Sequence, residues 1–202
     1  MKFYNSVGPN PRMVRMFAAE KGIELPKVEV DLRGGENRQA AYLAKNPAGQ
    51  LPALELDDGT VIAEITAICE YLDELKGPSL VGATAADRAV TRMWVRRMDL
   101  GICEPAANGF RFSEGLKIFQ NRIRVIPEAA DGLKATARDK LAWLDGQIAG
   151  REFIAGAKLT MADIFLFAFV DFLGNVGQKL DPGLVNLTAW YGRMKARPSA
   201  AA

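Results

Sequence analysis

Between Asn46 and Glu74 the chain switches its hydrophobic period from strand to helix, and that switch narrows the folds open to it. Ala53-Leu54-Glu55-Leu56 alternates loosely, Asp58-Gly59 is a two-residue hairpin turn, and Val61-Ile62-Ala63 supplies the return strand. Directly afterwards Ile65, Ile68, Cys69 and Leu72 recur at i, i+3, i+4 and i+7, one face of a helix. Glu70, Asp73 and Glu74 lie off that face, and Gly77-Pro78 stops the helix. Leu51-Pro52 stands just before the first strand, where a proline is tolerated because no ladder N–H is needed. A cis Leu51–Pro52 bond would turn the chain and leave the N–H and C=O of Leu51 facing outward. An extended peptide can then pair with Leu51 as one more strand.

Upstream, Lys2-Phe3-Tyr4 reads as a first strand and NSVGP as a loop. Asn10-Pro11 predicts a helix start, Asn at the N-cap and Pro at the first helical position. Val14, Phe17 and Ala18 form its apolar stripe, and Gly22 closes it. Lys27 to Asp31 alternates as a second strand, Arg33-Gly34-Gly35-Glu36 is a turn, and residues 37–45 predict a short helix. The order is βαβαββα, with a right-handed crossover to a parallel strand and then an antiparallel hairpin.

After Pro78 the pattern is helical to the end. Val90, Met93, Trp94 and Met98 fall near helical spacing, and Arg88, Arg92 and Arg96 repeat at i+4 as a solvated face. Residues 104–127 are interrupted by Pro105, Gly109, Gly115 and Pro127. Residues 132–149 predict a helix with Leu133, Leu141, Leu144 and Ile148 inward. Thr160-Met161-Ala162-Asp163 is a capping box before the wholly apolar Ile164-Phe165-Leu166-Phe167, which predicts a buried central helix. Trp190 to Arg197 predicts a last amphipathic helix, stopped at Pro198.

The chain of 202 residues contains no histidine, which removes His-based triads and HExxH zinc sites. Chemistry then rests on carboxylates, hydroxyls, amides, backbone dipoles or a nucleophile brought by a bound molecule, and no metal is expected. The net charge is close to balanced at +2, and nothing in the sequence resembles the basic stripe of a nucleic-acid binder, so no nucleic-acid partner is expected. No signal peptide and no long apolar run is present, so a cytoplasmic protein without a membrane partner is expected. Cys69 and Cys103 lack CxxC spacing and read as inert core thiols of a reducing compartment. Residues 1–80 carry 9 basic and 12 acidic side chains and residues 81–202 carry 17 and 12, a shift that agrees with a boundary near Gly77-Pro78-Ser79.

The Asn46–Glu74 stretch resembles the second half of the thioredoxin-like domain of the glutathione S-transferase family. FIAGAKLTMADIFLFA resembles that family's buried capping-box helix, and WYGRMKARPS its terminal helix. Together they cover nearly the whole chain. The resemblance implies an α/β thioredoxin-like N-terminal domain over residues 1–78 and an all-α C-terminal domain over residues 79–202. It also implies a two-fold homodimer that uses glutathione as co-substrate against a hydrophobic electrophile, in a detoxification role.

The resemblance places glutathione on particular residues. Leu51 gives backbone bonds to the cysteinyl part, Pro52 sets their geometry, and Gln50 reaches the ligand by its amide. Glu64 takes the γ-glutamyl ammonium, and the free N–H groups at that helix start suit its α-carboxylate. Ile65 stands where the family has a serine, so backbone donation survives but a hydroxyl bond is lost. Arg38, or Asn37, is the candidate for the glycine carboxylate. Where one large group of the family has its activating serine this chain has Gly8; it is closer to a Pro-Asn subgroup in which an asparagine approaches the thiol. Asn10 is therefore the leading catalytic candidate, Ser6 the next and Tyr4 the third. Met98, Ile102, Phe110 and Phe112 are expected to line the second-substrate pocket between the domains. The alternatives are glutathione-dependent disulfide or peroxide reduction, or a non-catalytic binding protein on the same fold.

Overall fold

Strands β1 (Lys2–Asn5), β2 (Lys27–Glu29), β3 (Ala53–Glu55) and β4 (Val61–Ala63) form one sheet in the order β2-β1-β3-β4. β1 is parallel to β2 and antiparallel to β3, and β3 pairs antiparallel with β4 across the Asp58-Gly59 turn. The structure, a computed structural model, describes all of residues 1–202. It divides into two units, Met1–Ala83 with Arg197–Ala202, and Thr84–Ala196.

In the first unit α1 (Pro9–Lys21) links β1 to β2, a single-turn α2 (Ala40–Leu43) precedes β3, and α3 (Ile65–Leu75) follows β4. Paired residues share a face of the sheet. Phe3 and Leu54 are paired and fully buried on the face where α1 and α3 pack. Tyr4 and Ala53 are paired on the other, in a cluster with Val30, Tyr42 and Leu51. β2 is exposed along its length, and its Lys27 and Glu29 keep this edge polar.

Several local expectations are corrected. α1 begins at Pro9 with Gly8 as its N-cap, so Asn10 is the second helical residue and caps nothing. Gly8 takes φ 112°, a left-handed value that glycine accepts without strain, and this lets the helix start earlier. The short helix expected over residues 37–45 is split into a 3₁₀ turn (Glu36–Arg38) and α2. Asp73 is buried rather than off the packed face, because Lys21 from α1 reaches it. The chain passes into the second unit after Ala83, since Ser79, Leu80 and Val81 still bond to the Asp73 carboxylate.

The second unit is helical. α4 (Ala85–Met98), a π-helical turn (Asp99–Cys103) and α5 (Glu104–Arg111) run on as one rod. A short α6 (Leu116–Phe119), α7 (Ala130–Gln147), α8 (Met161–Asn175) and α9 (Val185–Lys195) complete it. α8 is the core, with every residue from Met161 to Val170 buried. Asp163 closes its start: its carboxylate accepts Thr160 N–H (2.9 Å) and Oγ1–H (3.0 Å), Ile154 N–H (2.8 Å) and Trp190 Nε1–H (3.0 Å). Burial nonetheless pushes this carboxyl above its usual range. On α4 the packed face is Thr91, Trp94, Val95 and Met98, while Val90 and Met93 lie exposed. No helix is long and apolar enough to cross a membrane.

Candidate functional site

The strand register gathers the candidate residues of the first unit at one end of the sheet. Ala53 opens β3 opposite Tyr4 of β1 and Ala63 of β4. The end of β1 leading into α1, the Leu51-Pro52 approach to β3, and the exit of β4 into α3 therefore all lie at the same edge. Two helix N-termini converge there with their unpaired amides and partial positive charge.

Leu51–Pro52 is a cis peptide. The N–H and C=O of Leu51 have no partner in the protein, although the side chain packs with Tyr4, Tyr42 and Ala53. The turn before it is heavily braced. Tyr42 Oη donates to the Gln50 carbonyl at 2.7 Å and Asn46 Nδ2 donates to the same oxygen at 2.9 Å. Asn37 Nδ2 donates to the Gly49 carbonyl at 2.6 Å, and Asn46 Oδ1 accepts Ala48 N–H at 3.2 Å. Burial pushes the Tyr42 phenol up to about 12, so it stays a donor at any physiological pH.

These braces are what residue-type reading missed. The sequence singles out neither Tyr42 nor Asn46 as a brace, and only their common target, the Gln50 carbonyl, reveals the role. Asn37 is 6% exposed, and its amide is spent on Gly49. Asn37, the alternative to Arg38 for the glycine carboxylate, thus supports the turn with its amide. Its Oδ1 is buried without a partner. Arg38 is exposed, and its guanidinium folds back over Gly35, where a Cβ would stand 2.8 Å from Nη2. The Gln50 side chain is exposed at the tip of the same turn.

Glu64 stands at the N-cap of α3 with φ 66° and ψ 122° and is the only non-glycine residue with positive φ. Such backbone costs on the order of 1–3 kcal/mol and persists where surrounding structure fixes it. Its side chain caps nothing and is exposed, so the carboxylate is presented outward. The first intrahelical bond runs from Ile68 N–H to the Glu64 carbonyl (2.9 Å), which leaves the amides of Ile65, Thr66 and Ala67 unpaired. An extended backbone with an ammonium and a carboxylate at one end matches Leu51, Glu64 and these amides in turn.

At the start of α1 the three candidate donors differ. Ser6 Oγ donates to the Val30 carbonyl at 2.9 Å and is buried, tying β1 to the end of β2. Tyr4 Oη donates to Glu55, whose carboxylate also receives Lys45 Nζ at 2.7 Å. Those two bonds hold the Glu55 carboxyl down at about 2. Asn10 is half-buried, and its side-chain amide is engaged by nothing. Pro9 and Pro11 flank it and carry no N–H, so Asn10 supplies the one backbone donor among the first three helical residues.

The candidate substrate-pocket residues all lie in the helical unit. Met98 and Phe112 are buried in its core, and Phe110 packs edge-on against Phe119 and Phe172. These are packing roles that aromatic spacing alone does not separate from pocket lining. Ile102 sits in the π-helical turn and borders a cavity of that unit. Cys69 and Cys103 are buried and unpaired, and burial pushes both thiols well above their usual range.

Comparison with known proteins gives two family models: Glutathione S-transferase, N-terminal domain, over residues 7–75, and Glutathione S-transferase, C-terminal domain, over residues 127–193. Glutathione S-transferase 2 of Saccharomyces cerevisiae is 36% identical over 95% of this chain and 84% of its own. A crystal structure of a glutathione S-transferase domain-containing protein from Marinobacter aquaeolei is 39% identical, with a TM-score of 0.93, covering 98% of this chain and 99% of that one. The crystal structure of Gtt2 from Saccharomyces cerevisiae is 33% identical with a TM-score of 0.92, covering 100% and 99%.

Proposed function

Because this chain belongs to the glutathione S-transferase family, we propose that it binds glutathione at the α1/α3 end of its sheet and transfers the thiolate to electrophilic small molecules. The observation that carries this reading is the meeting, at one sheet edge, of the unpaired Leu51 backbone with the strained, outward Glu64 and two helix N-termini. Leu51 pairs with the cysteinyl backbone, Pro52 and the braced Gln50 hold that register, and Glu64 takes the ammonium. The amides of Ile65 and Thr66 receive the α-carboxylate, and Arg38 is the remaining cation for the glycine end.

The residues at α1 must make the thiol a better thiolate. A free thiol, with a pKa of about 8.5, is only a few per cent ionised at neutral pH. One hydrogen bond to sulfur is worth about 1–1.5 kcal/mol, roughly one pKa unit, and a helix N-terminus adds a smaller increment. Asn10 supplies that bond, since Ser6 and Tyr4 have committed their hydroxyls elsewhere. The thiolate then attacks the electrophile, its sulfur bonding to carbon as the leaving group departs with the electron pair. Exposed Val90, Met93 and Leu100 on the α4 rod support assembly as a homodimer.

Calorimetric titration with glutathione, followed by ultraviolet absorbance of the bound thiolate against pH, tests this. Micromolar to low-millimolar binding with a lowered thiol pKa, and turnover of an aryl halide, is expected. Turnover of a disulfide or peroxide instead would replace transfer by reduction. Failure to bind glutathione would overturn the proposal.

A further inference from the structure

Between α5 and α7 the chain leaves a run of apolar side chains open to solvent. Three of the four residues of α6 are apolar, yet none is buried. Ile118, Ile123 and Ile126 are 48%, 37% and 41% exposed, and Leu116 and Val125 are only half-buried. A single exposed aliphatic is ordinary, whereas a close group of them marks a contact surface. Backbone bonds keep this group together. Phe119 and Gln120 N–H donate to the Gly115 and Leu116 carbonyls at 3.2 and 2.9 Å, and Arg122 and Ile123 N–H to the Phe119 carbonyl at 2.8 and 3.1 Å. The Phe119 ring anchors the segment to α5, edge-on to Phe110 and 5.8 Å from the Arg111 guanidinium.

Cations are interleaved with these side chains. Lys117, Arg122 and Arg124 fall within residues 115–127 and no acid does. Lys117 and Arg124 have no charged or carbonyl partner in the protein. Of the acids on adjoining elements, Glu114 pairs with Lys134 at 2.6 Å and Glu104 accepts Asn108 Nδ2–H at 2.9 Å. Glu128 and Asp131 come after Pro127 and leave the segment itself wholly basic. Two copies of such a surface repel each other, which argues against self-association through it. The interfacial layer of a bilayer takes both kinds of side chain at once. Aliphatics reach the acyl boundary, and long cationic side chains rise back to the phosphates.

We propose that residues 116–126 are a peripheral docking surface for an anionic phospholipid bilayer. Ile118, Ile123 and Ile126 enter the acyl boundary, while Lys117, Arg122 and Arg124 meet the lipid phosphates. No helix is long and apolar enough to cross a membrane, so the contact is with the bilayer surface alone, a partner that long apolar runs do not report. The surface belongs to the helical unit and does not depend on the glutathione reading.

Co-sedimentation of the full chain with vesicles tests it, phosphatidylcholine alone against an equal mixture with phosphatidylglycerol. The mixed vesicles should bind at least about tenfold more tightly, and the difference should shrink as salt rises. Lys117→Glu with Arg124→Glu should abolish the preference for mixed vesicles. Ile118→Ser, Ile123→Ser and Ile126→Ser together should weaken mixed-vesicle binding about tenfold. Those side chains already meet water, and circular dichroism reports the fold. Lys158→Glu with Lys195→Glu, the same charge change elsewhere on the helical unit, should alter binding little. No binding to mixed vesicles, an affinity untouched by either set of changes, or an equal loss in the Lys158 and Lys195 control would overturn the proposal. Self-association abolished by the isoleucine changes, without vesicle binding, would overturn it in favour of a second copy of the chain.

Discussion

Lys21 Nζ lies 2.9 Å from Asp73 Oδ1 with the two side chains 1% and 7% exposed, and it also donates to the carbonyls of Asp73 (3.1 Å) and Pro78 (2.8 Å). One ammonium thus ties the ends of α1 and α3 to the start of the linker. Lys21→Met strands a buried carboxylate and is expected to lower the unfolding free energy by about 3–5 kcal/mol in urea titration. A loss near zero would show that Ser79 and the Leu80 amide suffice alone. Burial pushes the Asp73 carboxyl up, but the bonds from Ser79, Leu80 and Lys21 outweigh it and hold the group below its usual value. A lowered carboxyl stabilises the fold above its unfolded pKa, and that contribution disappears as pH falls through the folded value. Asp73→Asn should therefore flatten the acid limb of the stability curve in that window.

Glu55 gives a titration that can be followed directly. Bonds from Lys45 and Tyr4 lower its carboxyl to about 2, so in ¹³C-detected NMR it should stay ionised through the range where an ordinary glutamate protonates. Tyr4→Phe removes one donor and should move the midpoint upward. An unchanged midpoint would mean that Lys45 alone sets it.

At Glu64 stability and binding should part company. Glu64→Gly releases backbone strain of about 1–3 kcal/mol against an entropic loss of roughly 0.5–1, so the fold should gain about 1 kcal/mol. The same change removes a charge-assisted bond worth about 1.5–3 kcal/mol and should weaken glutathione binding at least about tenfold. Glu64→Gln, which keeps the strained backbone, should lose affinity with the melting temperature unchanged. Parallel losses of stability and affinity in Glu64→Gly would contradict this division.

Asn10 sits free in the first turn of α1, and Asn10→Ala should raise the pKa of bound glutathione by about one unit. The readout is thiolate absorbance against pH at saturating glutathione. Its dissociation constant should move little, because the tripeptide is held mainly through Leu51 and Glu64. A thiol pKa that does not move would assign activation to the backbone of α1 alone.

The periodicity of Ile65, Ile68, Cys69 and Leu72 and the Asp58-Gly59 turn gave β3, β4 and α3 because local pattern and tertiary packing agree there. Thr160 and Asp163 marked the start of α8 for the same reason. Thr84 and Asp87 have the same spacing and form a second full capping box at the start of α4. Asn10 misled because Asn-Pro is a good cap in isolation, whereas the left-handed freedom of Gly8 let Pro9 take the first helical place. Periodicity sets Asp73 off the apolar face of α3, since its partner Lys21 is distant in sequence and periodicity does not report long-range pairs. The Asn37, Tyr42 and Asn46 braces were hidden likewise, because their targets are carbonyl oxygens, which every residue type carries.

The return of Arg197–Ala202 to the first unit sets an order of events during synthesis. Glu20 on α1 pairs with Arg197 Nε at 2.7 Å and Nη2 at 2.8 Å and accepts Ser199 Oγ–H, and Arg12 donates to the Ala200 carbonyl at 2.9 Å. Residues 1–83 leave the ribosome first, yet α1 cannot complete these bonds until the whole helical unit has followed. The nascent first unit thus lacks these partners for Glu20 and Arg12 until a stretch translated after the helical unit folds back as their clasp.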